Sequence, residues 1–184
     1  MRRKTAKEIL ADSFLELAGT KNVDKITVRE IVDNCGYSTA TFYRQFKDKY
    51  DLIAWEAATR TAEIMDKVGT GSYVWRDTLL DGARFYHSRK EYLANLLMHT
   101  SGYDSYIRYK TELNYNALKS YVQKTYGEKL IDEQTDMYIR FYVTGAVCLT
   151  CDWVLGRYQA SPEELAEIYE KSLPEPLYQY LYQK

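Results

Sequence analysis

Proline and glycine are scarce in this sequence, which has three Pro and nine Gly among 184 residues. No run of alternating β-branched residues is bounded by turn signals, so the sequence gives no indication of β-strands. Apolar residues instead recur at helical spacing almost throughout the chain. Apolar residues make up 46% of the total, which excludes a mainly disordered chain. We therefore predict an all-α protein.

Long hydrophobic runs are also absent. The longest, from Phe141 to Cys151, spans 11 residues, whereas a membrane helix needs about 18 to 20. The chain begins Met-Arg-Arg-Lys-Thr and continues into an amphipathic segment, without the apolar core of a signal peptide. These features predict a cytoplasmic protein with no membrane span.

Cysteine is rare, and the three present, Cys35, Cys148 and Cys151, do not form a disulfide framework. Cys148 and Cys151 have CxxC spacing but lie within a continuous apolar helix. The only histidines are His87 and His99, so the ligands for a metal site are lacking. We predict that Cys148 and Cys151 pack in the interior, and we predict no metal and no cofactor.

A strong charge of either sign is lacking too, since the net charge is −1. The first fifty residues carry ten Lys or Arg against seven Asp or Glu, and the rest of the chain is acidic. This balance argues against a nonspecific polycation and permits nucleic-acid contact by the N-terminal region.

Three short helices are predicted in that region. Helical spacing indicates a first helix from Ala6 to Leu17, preceded by a basic arm that includes Arg3 and Lys4. Thr27 and Glu30 have the spacing of a capping box at the start of a second helix.

The segment CGYSTATFYRQF, residues 35–46, predicts a tight turn followed by a third helix. Gly36 is suited to the left-handed conformation that ends a helix, and Ser38 is a good N-cap. Phe42 and Phe46 are four residues apart and should both face the core. The outward residues are then Thr39, Thr41, Tyr43 and Arg44. Their size and polarity suit the major groove of DNA.

Asp48 should cap a fourth helix, which places Lys49 in its first turn. A cation there opposes the helix dipole. Lys49 is therefore either a tolerated surface residue or a phosphate ligand, and helix physics alone favours neither.

The run TVREIVDNCGYSTATFYRQFKDKYDL resembles the DNA-binding domain of TetR/AcrR transcriptional regulators. The family pattern Tyr-x-x-Phe-x-x-Lys-x-x-Leu is matched by Tyr43, Phe46, Lys49 and Leu52. The resemblance covers about residues 6–55 and departs at Val32, where the family often has Ala. It implies an N-terminal three-helix helix-turn-helix domain, residues 1–50, and a C-terminal helical bundle for ligand binding and dimerisation, residues 51–184.

The resemblance also implies roles for single residues. Thr27, Tyr43 and Lys49 would contact phosphates, and Arg3 and Lys4 of the basic arm would lie nearby. Ser38 would also belong to the DNA-binding surface, because the helix N-terminus that it caps offers free amides to a phosphate. Thr39, Ala40, Thr41 and Arg44 would face base edges. The implied function is an effector-controlled homodimeric repressor that binds a palindromic operator in double-stranded DNA.

A second resemblance leaves another sign of regulation open. The stretch FKDKYDLIAW is similar to a subgroup that includes the activator of dihydroxyacetone kinase operons, which works with a protein co-regulator. An activator of this kind is the alternative to an effector-controlled repressor. An enzyme is not expected, because the sequence has no phosphate-binding Gly-rich loop and neither histidine is near a nucleophile at helical spacing.

A long apolar helix from about Glu133 to Leu155 is predicted to form the dimer interface, called the dimer seam below. A second helix, which begins at Ser161 and Pro162, is predicted to contribute to it. The apolar residues of the long helix occupy more of the circumference than one core face needs. The alternative is a central helix of a monomeric bundle. The residues predicted at the seam are Gly145, Ala146, Leu149, Trp153, Leu165 and Ile168.

Nineteen tyrosines are present, many of them in the C-terminal region. Aromatic side chains with polar tips suit a cavity for a planar or hydroxylated effector, although they also suit ordinary surface and core positions. The residues predicted to line an effector pocket are Phe85, His99, Tyr106, Tyr109 and Trp153.

Overall fold

The computed structural model describes residues 3–99, 103–127 and 131–182. Within these ranges the chain forms ten α-helices, one short 3-10 turn over Val23–Lys25, and no β-strand. The helices are α1 Ala6–Ala18, α2 Val28–Cys35, α3 Thr39–Gln45, α4 Lys49–Met65, α5 Trp75–Ser88, α6 Lys90–His99, α7 Tyr103–Tyr126, α8 Glu133–Val154, α9 Pro162–Lys171 and α10 Glu175–Leu181. The prediction of an all-α protein is confirmed.

Local signals place the first helices as predicted. Thr27 and Glu30 form the capping box that starts α2, and Ser38 accepts a hydrogen bond from the Thr41 N–H to cap α3. Gly36 ends α2 with φ of 73° and ψ of 21°. Because this left-handed conformation is strained for residues with a Cβ, glycine is the suitable residue at this turn.

The N-terminal core lies between α1, α2 and α3. Phe14, Ile31 and Phe42 are fully buried, and Phe46 is nearly so. The rings of Phe42 and Phe46 are in contact, with centroids 5.8 Å apart. The inward placement predicted for both phenylalanines is confirmed, and it leaves the opposite face of α3 in solvent.

Helix α4 connects the N-terminal region that contains α1, α2 and α3, called the head from here on, to the C-terminal bundle. It begins at Lys49, capped by Asp48, and continues to Met65, so the predicted domain boundary after residue 50 falls within its first turn. The first half of α4 contributes Leu52 and Ile53 to the buried core. A continuous helix of 17 residues therefore spans both parts of the molecule.

The bundle is built mainly from α5 packed on α9, α7 on α8, and α4 on α7. All three cysteines are free thiols, and Cys151 is buried, where desolvation raises its pKa to about 12. Among the described residues no group of His, Cys, Asp or Glu has the arrangement of a metal site. None of the helices in these ranges is long and apolar enough to cross a membrane.

Candidate DNA-binding surface and effector cavity

Helix α3 presents a row of exposed side chains on the face opposite Phe42. Thr39, Ala40 and Arg44 are exposed, and Thr41 is half-buried. The Arg44 Nη2 donates to the Thr41 Oγ1 at 3.0 Å, and the Thr41 and Ser38 hydroxyl oxygens are 3.1 Å apart. These contacts orient the guanidinium along the helix. The face combines short side chains with one guanidinium group. Surfaces of this kind form hydrogen bonds with base edges in a major groove.

Tyr43 stands beside this face and is 61% exposed. Its ring packs edge-on against Phe42, with centroids 5.5 Å apart. Its hydroxyl forms no hydrogen bond with any other described residue. The ring is therefore anchored in the head while the hydroxyl is free to donate to a DNA phosphate.

Thr27 is committed to its capping box. Its hydroxyl donates to the Glu30 Oε2 at 2.9 Å, and the Glu30 N–H donates back at 3.2 Å. Glu30 also pairs with Lys21. The Lys21 ammonium and the Thr27 donors lower the pKa of Glu30 to about 2. Because the Thr27 hydroxyl already donates to Glu30, a phosphate contact from it would require this hydrogen bond to break.

The Lys49 side chain, in the first turn of α4, forms its hydrogen bonds within the protein. Its Nζ donates to the backbone carbonyl oxygens of Val23 at 2.8 Å, Asp24 at 2.8 Å and Ile26 at 3.0 Å. Desolvation lowers the pKa of Lys49. All three donors of the ammonium are thus used to hold the 3-10 turn, which the sequence analysis did not predict, against the start of α4.

We expect Lys49→Met to destabilise the head without changing the salt dependence of DNA binding. Three carbonyl groups would lose a charged donor, which should cost about 1–3 kcal/mol in free energy of unfolding. The measurements are urea unfolding and operator affinity at several salt concentrations. Lys47→Met, at an exposed neighbouring position, is the control. If Lys49→Met left the stability unchanged but reduced the slope of log affinity against log salt concentration by about one per head, Lys49 would instead be a phosphate ligand.

The basic arm is exposed at its described residues, Arg3 and Lys4. Lys4 Nζ is 2.6 Å from the Asp12 carboxylate in α1. This pair is solvent-exposed, so it is weak, and Lys4 remains able to exchange Asp12 for a phosphate.

The side chain of Asn95 in α6 links the bundle to the head by hydrogen bonds. Asn95 Nδ2 donates to the carbonyl oxygens of Ala18 at 3.0 Å and Lys21 at 2.7 Å, and Asn95 Oδ1 accepts from the Val23 N–H at 3.2 Å. These bonds cross between segments more than seventy residues apart in sequence. The sequence analysis missed Asn95, because nothing in its local spacing marks it.

A cavity of about 150 Å³ lies inside the bundle. It is lined by residues of α4, α5, α7, α8 and α9, and its walls are mainly apolar and aromatic. Residues on its walls include Ile64, Trp75, Phe85, Tyr86, Tyr106, Leu118, Tyr142, Val147 and Tyr169. A cavity of this size holds a molecule about as large as benzene.

Two of the five predicted pocket residues, Phe85 and Tyr106, line this cavity. Trp153 does not, because it is 1% exposed in the core and its indole N–H donates to the Ala160 carbonyl oxygen at 2.8 Å. Tyr109 also lies outside the cavity and donates to the Ala54 carbonyl oxygen at 2.8 Å. The side chain of His99 lies outside the described residues.

One charged group in the cavity wall is deeply buried. Lys110 in α7 is 6% exposed, and its Nζ donates to the Thr61 Oγ1 at 2.8 Å. Burial lowers the pKa of Lys110 to about 8. The sequence carried a signal for this residue that was not used, since Lys110 follows Tyr106 by four positions and so shares its inward face.

The residues predicted at a dimer seam divide into two groups. Trp153 and Leu165 are buried in the single chain, so neither is available at its surface. Gly145 and Ile168 are exposed, and Ala146 and Leu149 are half-buried. Two residues that are not among these six extend the exposed face of α8: Phe141, 78% exposed, and Met137, 66% exposed.

The architecture and the exposed face of α3 are those of a helix-turn-helix DNA-binding protein with a helical regulatory domain. Comparison with known families agrees: residues 12–54 match the model described as bacterial regulatory proteins, tetR family, and residues 74–174 match one described as transcriptional regulator C-terminal region. The chain belongs to the TetR family of transcriptional regulators and is a DNA-binding regulator of transcription. A search of curated proteins gave no match.

Solved structures with the same fold include the dihydroxyacetone kinase operon activator DhaS, which is 16% identical over 90% of each chain with a TM-score of 0.65. A TetR transcriptional regulator from Streptococcus agalactiae 2603V is 16% identical over 92% of this chain and 94% of that chain, with a TM-score of 0.62. A TetR regulator from Rhodococcus sp. RHA1 is 15% identical over 95% and 97%, with a TM-score of 0.61. At these identities the likeness concerns the fold.

Proposed function

We propose that this protein is a homodimeric repressor that binds a palindromic operator and releases it when an effector occupies the bundle cavity. The observation that carries the proposal is the exposed face of α3, in which Arg44 is oriented by Thr41 while Tyr43 stands free beside it. Control by a small molecule rather than by a protein co-regulator is proposed, because the bundle holds a cavity that suits a small molecule. Repression is proposed because it is the usual mode of regulation in this family. No catalytic role is proposed.

Roles on DNA follow from what each side chain already contacts. Arg44, Thr39, Ala40 and Thr41 are proposed to face base edges, and Tyr43 to contact phosphate. Thr27 and Lys49 are proposed to stabilise the head rather than to contact DNA, since their polar groups already form hydrogen bonds within the protein. Arg3 and Lys4 are proposed to add phosphate contacts from the arm. The protein would act in the bacterial cytoplasm, where operator DNA lies.

Dimerisation is proposed to occur through the exposed apolar face of α8, with Ile168 of α9 beside it. Tyr142 and Ala146 of α8 share hydrogen bonds with Tyr169 of α9, so the two helices are neighbours at this point. A single helix as short as α3 contacts few base pairs and gives little specificity. In a dimer, the two heads bind the two halves of one palindrome, and their base contacts add.

Coupling between cavity and head is proposed to run through α4. Arg60, Thr61, Ile64 and Met65 of α4 line the cavity, and the first residue of the same helix, Lys49, holds the 3-10 turn of the head. The hydrogen bonds of Asn95 provide a second connection between the bundle and the head. An effector shifts operator affinity only by as much as it binds two head arrangements unequally.

Selection of bound sequences from a random DNA pool tests this function. We expect a palindromic consensus whose affinity falls steeply with salt, because each neutralised phosphate contributes about −0.9 to the slope of log affinity against log salt. The double variant Tyr43→Ala with Arg44→Ala should enrich nothing. Selection of no sequence at low salt would contradict DNA reading by the free protein, and a single unrepeated half-site would contradict the homodimer.

A further inference from the structure

The wall of the cavity contains a buried cation that forms no ion pair with a carboxylate among the described residues. Lys110 Nζ donates to one neutral hydroxyl, that of Thr61, and lies 5.8 Å from the centre of the Tyr86 ring. In the described part of the chain, no carboxylate oxygen lies within 4.0 Å of it. An ammonium has three donors, and burying one without a counter-charge is costly.

The acids of α4 do not fill this role. Glu56 is buried, but its Oε1 accepts from Arg60 Nε at 3.3 Å. Arg60 also pairs with Glu63 at 2.7 Å. Of these three residues only Arg60 lines the cavity, and Glu56 attracts the Lys110 ammonium without contacting it. Because Arg60 already pairs with two carboxylates, Lys110 is the cation of the cavity wall that is left to pair with an incoming anion.

The remaining walls restrict what such an anion is. They are mainly apolar and aromatic, and the volume of about 150 Å³ matches one ring or a short chain. A dianion such as phosphate would need more donors than one ammonium supplies. We infer that the effector is a small, mainly apolar monocarboxylate, whose carboxylate pairs with Lys110 and whose ring or chain fills the aromatic part of the cavity. This inference rests on the effector site of the proposed function.

The pH dependence of binding isolates Lys110 from its neighbours. The titratable groups that face it are Glu56 and Arg60 from α4, Tyr86 from α5, Tyr106 from α7, Tyr142 and Cys151 from α8, and Tyr169 from α9. Burial raises the pKa of each of these four tyrosines above its ordinary value of 10.0 and that of Cys151 to about 12. Lys110, with a pKa of about 8, loses its proton well before they do.

Calorimetric titration with matched probes tests the inference without DNA. The acids are benzoate, phenylacetate and hexanoate, and the controls are benzamide, phenylacetamide and hexanamide. At pH 7 we expect at least one acid to bind at least ten times more tightly than its amide. Above pH 8 the affinity for that acid should fall as Lys110 deprotonates, approaching tenfold per pH unit, while the affinity for the amide stays constant.

Variants then assign the preference to one side chain. Lys110→Met keeps length and apolar volume and should remove the preference for acids, whereas Lys124→Met, an exposed lysine on the same helix, should keep it. Equal binding of acids and amides, no binding of either set, or a preference that survives Lys110→Met would each overturn the inference. If Lys110→Met fails to fold, the pH titration of the unaltered protein decides.

Operator binding separates this inference from the proposed function. An acid that binds through Lys110 and releases operator DNA supports both. An acid that binds in this way without altering operator affinity supports the ligand chemistry and contradicts effector control. Operator release by neutral compounds with no effect of the acids supports effector control and contradicts the monocarboxylate.

Discussion

Phe141→Glu should convert the protein from dimer to monomer and weaken operator binding at least about a hundredfold. Phe141 is 78% exposed on α8, one turn from Met137 and one turn from Gly145. Two copies of this face would place two charges in an apolar seam, where an unpaired charge is strongly unfavourable. A head separated from its partner loses the second half-site, and its affinity then falls toward the nonspecific range.

Light scattering and operator titration measure the two parts of this expectation. Tyr158→Glu is the matched control, because Tyr158 is also an exposed aromatic residue but lies beyond the end of α8. A second variant, Gly145→Leu, tests close approach of the helices, since an added Cβ at Gly145 meets no atom within 4 Å in the single chain. A Phe141→Glu protein that keeps the mass of two chains would rule out this seam.

Arg44→Ala should weaken operator binding by about 2–6 kcal/mol in a dimer, counting one base contact of about 1–3 kcal/mol in each head. The loss should be largest for the selected operator, so that discrimination at the contacted base pair disappears. Arg44 is exposed, and Thr41 Oγ1 is its hydrogen-bond partner in the free protein, so the fold should be unaffected.

Arg44→Lys separates readout from charge. It keeps the cation but lacks the planar fork that pairs with a base edge, so it should lose discrimination while the salt dependence stays nearly unchanged. Competition between the operator and a single-base variant measures discrimination, and Arg157→Ala, in the bundle, is the control. Equal discrimination by Arg44→Ala and the unaltered protein would remove Arg44 from the base-reading set.

The head was predictable from the sequence because its determinants are local. The Thr27 capping box, the turn at Gly36, the Ser38 cap and the inward pair Phe42 and Phe46 each act over four residues or fewer. Interactions at this range depend on residue type and spacing alone. The outward face of α3 follows directly, since a helix that buries two phenylalanines must expose the opposite side.

The bundle shows where such reasoning fails. Tyr106 and Tyr109 are three residues apart on α7, yet one lines the cavity and the other bonds to Ala54 on α4. Trp153 is aromatic like the cavity residues but is buried elsewhere. Aromatic composition indicated that a cavity was plausible, but the rotation of five helices about their own axes decided which side chains reach it.

The sequence by itself determined the all-α class, the helices of the head and the family to which the chain belongs. Only the tertiary structure decided that Lys49 holds a backbone turn, that Asn95 joins the bundle to the head, and that Lys110 is buried in the cavity wall. The physical reason is distance along the chain. The partner of each of these side chains lies more than twenty residues away, and contacts of that kind are set by how helices pack, which residue spacing does not encode.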